Sequence, residues 1–254
     1  MNNIQSFHYQ HISLSKNESN KMYIINEKPL DLLITKKYYT TILRTPGDEK
    51  AHVVGYCFSE GIIEKLDDIV NIEYIQGENS DIAQIEINSI KTDLFNKMKS
   101  PTVSESLNQI TSNSKKVKKL DPLKIIDLFK KLEDYQVLRK KTASTHAVAF
   151  FDYDLKMLGI KEDVGRHNAF DKIIGETLIK RNLKNAYLAL LSSRVSFELI
   201  NRGIKAGISC MFSVSRPTSL AIDLAQKYNV TLSCLSKPKG IYCFSGFERI
   251  KYKL

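Results

Sequence analysis

The sequence lacks long hydrophobic runs and a secretory signal, and each absence excludes a class of protein. No stretch approaches the roughly 18 apolar residues that a membrane-spanning helix needs. The first 21 residues are polar, so they lack the apolar centre of a signal peptide. We therefore predict a soluble, cytoplasmic protein with no membrane partner.

Cysteines are few and are not spaced as pairs. The four, Cys57, Cys210, Cys234 and Cys243, form no C-x-x-C motif, and the first three lie in apolar runs. A cysteine in such a run usually packs as a small hydrophobic residue. We therefore expect neither a disulfide framework nor a zinc or other metal site. The zinc-ligand motifs of nucleobase deaminases are missing too, as are the HExxH, Walker and Ser-His-Asp patterns.

The composition is that of a globular protein with excess positive charge. Of the 254 residues, 43% are apolar and 26% are charged, and the formal net charge is +10. This charge favours an anionic partner, which could be a nucleotide, a phosphorylated cofactor, nucleic acid or an acidic protein. A nucleic-acid binder has the weakest support, because the basic stretches lack interleaved aromatic residues and no known module is present.

The first part of the chain, residues 1–112, is predicted as an α+β unit. Residues 1–22 carry no clear pattern and are expected to be weakly ordered. Short strand patterns follow between residues 23 and 87, interrupted by one helix that begins after Asp48 and stops at Gly61. Residues 113–141 read as a basic linker and a helix that begins at Asp121-Pro122. This basic stretch is either a solvated surface or a docking site for an acidic partner or cofactor.

The second part, residues 142–254, alternates apolar strands with helices. This pattern is typical of an α/β domain with a mostly parallel sheet that is covered by helices on both faces. His146 lies at the mouth of its first strand, where a structural role is more common than a catalytic one.

Similar chemistry recurs where strands enter helices in this second part. The segments Gly165-Arg166-His167, Ser192-Ser193-Arg194 and Ser215-Arg216 each place an arginine beside a helix N-terminus. In open α/β sheets such junctions gather at one edge, where free helix amides and arginines favour phosphate groups. The turn Lys237-Pro238-Lys239-Gly240 adds two more cations. Together the four loops predict a ligand with several phosphates, with ordinary helix caps and surface arginines as the alternative.

The blocks of residues that carry these features resemble the FdhD family of formate dehydrogenase accessory sulfurtransferases. The resemblance covers about residues 23–250, nearly the whole chain, as one family unit. It is carried by Glu27–Leu30, Arg44–Asp48, Gly55–Ile63, Thr145–Ala147, Ser215–Ala221 and, most specifically, the Glu162–Ala169 block EDVGRHNA.

The resemblance implies a fold related to cytidine deaminases without their zinc site, and a homodimer. It implies binding of the molybdenum cofactor in its bis(guanine dinucleotide) form, with GDP as a mimic. The family's cofactor-binding segment maps onto Leu235, Ser236, Lys237, Pro238, Lys239 and Gly240, to which we add Arg166, His167, Ser215 and Arg216 from the junctions. It also implies that a cysteine desulfurase supplies sulfur and that formate dehydrogenase receives the cofactor.

One departure from the family changes the expected chemistry. Family members carry a CGxCG-like loop whose cysteine holds a persulfide, but the matching residues 99–107 contain no cysteine. Serine cannot carry a persulfide, so no catalytic residue is predicted. Two hypotheses remain: a sulfur carrier that uses another cysteine, Cys234 or Cys243, or a non-catalytic chaperone that binds the cofactor.

Overall fold

The computed structural model describes residues 3–12, 17–88, 118–236 and 240–251. The helices in this part of the chain are α1 Glu49–Glu60, α2 Pro122–Tyr135, α3 Val137–Thr142, α4 Arg166–Ile179, α5 Phe197–Lys205 and α6 Ser219–Lys227. The strands are β1 Ile4–Ile12, β2 Asn17–Ile25, β3 Lys28–Ile34, β4 Lys37–Arg44, β5 Ile69–Ile75, β6 Asp81–Ile87, β7 His146–Phe151, β8 Met157–Asp163, β9 Leu188–Arg194, β10 Cys210–Ser215, β11 Thr231–Ser236 and β12 Gly240–Ser245. No helix among them is long and apolar enough to cross a membrane.

The N-terminal segment departs from the expectation of weak order. Strands β1 and β2 form an antiparallel hairpin, with Ile4 opposite Ile25. Most of its described side chains are exposed, including Phe7 and Met22, which lie opposite each other. Backbone pairing holds this hairpin with little burial, so its sequence shows no apolar face by which it could be recognised.

The second sheet has the strand order β4-β3-β6-β5 and carries helix α1. Strands β3 and β6 run parallel, and the other two pairs are antiparallel. Alternate residues of β6 are buried, as the predicted half-buried strand requires. They pack with Leu30, Leu32, Val53 and Val54 in one apolar cluster.

The third sheet has the order β12-β11-β10-β9-β7-β8 and confirms the predicted α/β class. Its strand directions correct the expectation of a mostly parallel sheet: β10 runs parallel to β9 and to β11, and the other three pairs are antiparallel. The reason lies in the connections. Only five residues, 152–156, separate β7 from β8, which is too short for the crossover that a parallel pair needs.

Helices cover both faces of this sheet, as predicted. On one face α4, α5 and α6 bury Phe150, Phe170 and Leu199, and the rings of Phe150 and Phe170 meet edge to face at 5.5 Å. On the other face α2 packs Phe129 against Phe151 and other strand residues. The core therefore lies in two layers, one on each side of the sheet.

Helices α1 and α4 join the first part of the chain to the second. They cross in backbone contact, since a Cβ on Gly55 would lie 1.7 Å from the carbonyl oxygen of Asp171. A Cβ on Gly175 would lie equally close, 1.7 Å, to the carbonyl oxygen of Ala51. The division into residues 1–112, 113–141 and 142–254 stays a prediction, and this crossing is the main contact between the outer two ranges.

Candidate functional site

The described residues of the predicted binding loops lie along one edge of the third sheet. The strand directions place the ends of β8, β9, β10 and β11 and the starts of β7 and β12 on the same side. The register shows this directly, because His146 pairs with Asp163, Ser215 with Arg194 and Ser236 with Gly240. We call the described residues 163–167, 192–194, 215–218, 235–236 and 240 the loop edge.

Much of the EDVGRHNA block is structural. The buried carboxylate of Asp163 accepts hydrogen bonds from the amide of Gly165 at 2.8 Å, the Asn168 side chain at 3.0 Å and the amide of Thr45 at 3.1 Å. The carboxylate of Glu162 accepts from the first amides of α3, those of Leu138 at 2.7 Å and Arg139 at 3.0 Å. These contacts fix the strand end from which α4 begins.

The next two residues of the block, Arg166 and His167, form the first turn of α4 and are only half-buried. Nε of Arg166 is buried and has no hydrogen-bond partner among the described residues. A buried donor without a partner costs free energy, so this guanidinium can gain from an acceptor. The N-terminus of α4 adds free backbone amides at the same place.

Two histidines near Arg166 are held neutral. Burial lowers the pKa of His146, and the charges of Arg166 and Arg139 lower it further. Burial also lowers the pKa of His167, and the charges of Arg202 and Arg166 lower it further. The carboxylate of Glu198, 3.9 Å from Nε2 of His167, has the opposite effect and raises this pKa. At neutral pH the positive charge here therefore comes from arginines, Arg166 among them, and not from the two histidines.

A second part of the loop edge lies between β10 and α6. Ser215 and Arg216 are exposed at the end of β10, and Arg194 is exposed beside them. Thr218 caps α6, accepting from the amide of Ala221 at 3.4 Å. The segment Ser192-Ser193-Arg194 does not start a helix as predicted, because it ends strand β9 and α5 begins only at Phe197. Three arginines and two helix N-termini still share one edge.

The predicted segment 235–240 is described only in part. Lys237, Pro238 and Lys239 lie outside the described residues. Ser236 is half-buried and ends β11, and Gly240 begins β12. The side chain of Leu235 packs against the apolar cluster beneath α2, so its backbone, rather than its side chain, lies at the edge. The cofactor-binding role of all ten predicted residues stays a prediction.

The sequence reasoning did not select Tyr242, which belongs to the same neighbourhood. Its ring lies 5.5 Å from the guanidinium carbon of Arg216. Hydrogen bonds from Ser236 and Arg216 lower the pKa of its hydroxyl. The signal that could have found it is a large aromatic residue two positions after the turn glycine Gly240.

The cysteines offer poor thiolates. Cys57, Cys210 and Cys234 are buried and Cys243 is half-buried. Burial raises the pKa of all four, that of Cys210 to about 11, although Arg216 partly offsets the effect at Cys234. Cys243 lies beside an apolar cavity of about 330 Å³ lined by Ile241, Phe247 and Ile250, among others. The loop at 99–107 lies outside the described residues. Within the part of the chain that the structure describes, no group of three or more His, Cys, Asp or Glu side chains is placed to hold a metal ion.

Comparison with known proteins agrees with the motif blocks. The profile of the FdhD/NarQ family matches residues 25–251. A sulfur carrier protein FdhD from Sulfurisphaera tokodaii is 31% identical, over 90% of this chain and 91% of its own. The FdhD of Streptomyces coelicolor is 29% identical, over 89% and 88%. The fold matches a crystal structure assigned as a formate dehydrogenase accessory protein from Desulfotalea psychrophila, with a TM-score of 0.80, 21% identity and coverage of 98% and 99%.

Proposed function

Because the chain belongs to the FdhD/NarQ family, we propose that it is an accessory protein for formate dehydrogenase that binds the molybdenum cofactor at the loop edge. The form bound is the bis(guanine dinucleotide), a polyanion that carries phosphates on two arms. The relatives that carry the name sulfur carrier protein and the formate dehydrogenase accessory protein of the same fold support the general role.

One observation carries the binding proposal. Arg166, Arg194 and Arg216 reach the loop edge from three different junctions, and Nε of Arg166 is buried without a partner among the described residues. Arginine matches phosphate oxygens with paired N–H groups, and helix N-termini add amide donors. The cofactor itself would supply the chemistry when bound. These residues would hold and orient its phosphates.

GDP tests this proposal, because it carries the base and phosphates of one arm. We expect calorimetry to show that the protein binds GDP. Arg166→Ala or Arg216→Ala should weaken this binding about tenfold, because each variant loses one charge-assisted contact to a phosphate. Arg181→Ala is the matched control, because Arg181 is exposed and pairs with Asp67 away from the edge. Unchanged GDP affinity in both edge variants would remove the phosphate site.

The sulfur step divides the proposal into two forms. In the first, a cysteine desulfurase persulfide passes its outer sulfur to a thiolate of this chain, which then passes it to the cofactor. In the second, the chain binds and protects the cofactor without carrying sulfur. The structure favours the second form, because burial disfavours the thiolate at all four cysteines and a persulfide acceptor must be both ionised and accessible.

An intact-mass measurement separates the two forms. The protein is incubated with a cysteine desulfurase and cysteine, and any added sulfur is located by peptide mapping. The chaperone form predicts no added sulfur in a protein that still binds GDP. Sulfur on Cys243, the least buried thiol, would instead establish the carrier form, and Cys243→Ser should then abolish it.

Two parts of the proposal remain: the homodimer that the family resemblance implies, and the cytoplasmic location predicted from the sequence composition. We propose a homodimer, which sedimentation equilibrium of the purified chain would test. We also propose that the chain acts in the cytoplasm, which fractionation of cells that express it would test.

A further inference from the structure

Arg216 at the loop edge forms a pair with Tyr242, a residue that the binding proposal above does not use. Tyr242 lies on β12, and Arg216 follows β10, so the two residues meet across the intervening strand β11. The guanidinium carbon of Arg216 lies 5.5 Å from the ring centroid of Tyr242. At this distance the cation is attracted to the face of the ring.

The position of Tyr242 keeps this ring available to a ligand. β12 is the outermost strand of its sheet, and Tyr242 lies opposite Cys234, two residues from the start of the strand at Gly240. Tyr242 is 45% exposed. Its hydroxyl interacts with Ser236 and Arg216, so the polar end of the ring is held at the edge.

The two side chains also suit the two halves of a nucleotide. A partly exposed aromatic ring offers a face on which a purine base can stack. An arginine beside it offers paired N–H groups to a phosphate. The capped N-terminus of α6 begins three residues after Arg216, so its amides face the same end of the sheet.

We propose that Tyr242 is the stacking surface for a guanine base and that Arg216 holds the phosphates attached to that base. The inference rests on the proposed function and deepens it, because it assigns one nucleotide arm of the ligand to a specific place. It also separates two contributions to binding. Removing the ring should affect ligands with a base, whereas removing the guanidinium should affect any phosphate ligand.

The test compares GDP with inorganic pyrophosphate, which has the phosphates and no base. Calorimetry would be run on the full chain as wild type, Tyr242→Ala and Tyr242→Phe. We expect Tyr242→Ala to weaken GDP binding about tenfold and to leave pyrophosphate binding unchanged. Tyr242→Phe keeps the ring, so it should bind GDP within about threefold of the wild type. Tyr38→Ala is the control, because Tyr38 is exposed on the second sheet and should bind GDP normally.

The outcomes distinguish failure of this inference from failure of the proposed function. If Tyr242→Ala binds GDP as the wild type does, the stacking role is wrong and the phosphate site stands. Equal losses for GDP and pyrophosphate would also overturn it, because Tyr242 would then act only by holding Arg216. If the wild type binds pyrophosphate but not GDP, the base site alone fails. If it binds neither ligand, the proposed function fails as well.

Discussion

The ammonium of Lys172 and the carboxylate of Asp163 form an ion pair of 2.7 Å in which both side chains are buried. Lys172 lies on α4 and also donates to the carbonyl of Thr45 at 2.8 Å. Asp163 ends β8 and accepts from the amide of Thr45. The pair therefore connects the loop before α1 to the strand end that positions Arg166.

We expect removal of either partner of this pair to destabilise the protein strongly, because it leaves the other charge buried and unpaired. Lys172→Met should lower the free energy of unfolding by about 3–5 kcal/mol, measured by urea denaturation. Lys130→Met is the control, because Lys130 is exposed and its ion pair with Asp127 lies on the surface. A similar small loss in both variants would contradict a structural role for the buried pair.

The close crossing of α1 and α4 predicts that Gly55 tolerates no side chain. Gly55→Ala would place a Cβ 1.7 Å from the carbonyl oxygen of Asp171, so the two helices must separate. We expect the free energy of unfolding to fall by about 3 kcal/mol or more. This is at or above the upper end of the destabilisation usually caused by adding atoms to a well-packed core. Lys50→Ala, on the exposed side of the same helix, should change it by less than about 0.5 kcal/mol. Thermal denaturation followed by circular dichroism would measure both.

Stability should fall in mild acid because of His52. Burial lowers the pKa of His52 well below 6.5, and the charges of Lys172 and Arg44 lower it further. Above pH 6.5 the side chain is neutral in both the folded and the unfolded chain, so it has no effect there. Below that pH only the unfolded chain takes up the proton, which disfavours folding by up to about 1.4 kcal/mol per pH unit.

The measurement is the free energy of unfolding between pH 7.5 and pH 5. His52→Gln should have a shallower decline than the wild type over this range. The slope should not vanish, because the pKa values of His146 and His167 are lowered as well. Identical slopes for wild type and variant would show that His52 is not held neutral.

Thiol accessibility gives a direct test of the cysteine environment. In the native protein we expect a disulfide reagent to modify Cys243 slowly and the other three cysteines only after unfolding, because those three are buried. Cys243→Ser should remove the native-state reaction and leave three reactive thiols in denaturant. Rapid modification of Cys234 in the native protein would contradict its burial and reopen it as a sulfur acceptor.

Ligand binding at the loop edge should depend on salt. The site is built from arginines, of which Arg194 and Arg216 are exposed, so added salt screens its attraction for phosphate. GDP affinity should fall as sodium chloride rises, with a shallower dependence in Arg216→Ala. A salt-independent affinity would indicate that the base, not the phosphates, supplies the binding energy.

The start of α2 and the end of α1 followed from the sequence because their signals are local. Asp121 and Pro122 predicted the start of α2, and the Asp121 side chain accepts from the amide of Leu123 at 2.9 Å. The stop at Gly61 was predicted as well, and this residue has the positive φ, 77°, that glycine adopts readily. The gathering of the junctions at one edge followed too, because it depends on strand polarity around β9, β10 and β11.

The motif block shows the limit of that reasoning. The sequence marked EDVGRHNA as the most specific block of the family resemblance. The structure gives its residues different roles, since Glu162, Asp163 and Asn168 hold the backbone while Arg166 remains available. The partners of Asp163 at Thr45 lie more than a hundred positions away in the chain, so no local pattern could reveal them.

The sequence by itself determined the family, the α/β class, the starts of α1 and α2 and the absence of any cysteine between Cys57 and Cys210, because these depend on residue type and on neighbours within a few positions. The tertiary structure decided the strand directions, the hairpin of β1 and β2 and the meeting of Arg216 with Tyr242. These depend on which distant segments pack together, and that follows from the balance of contacts over the whole chain.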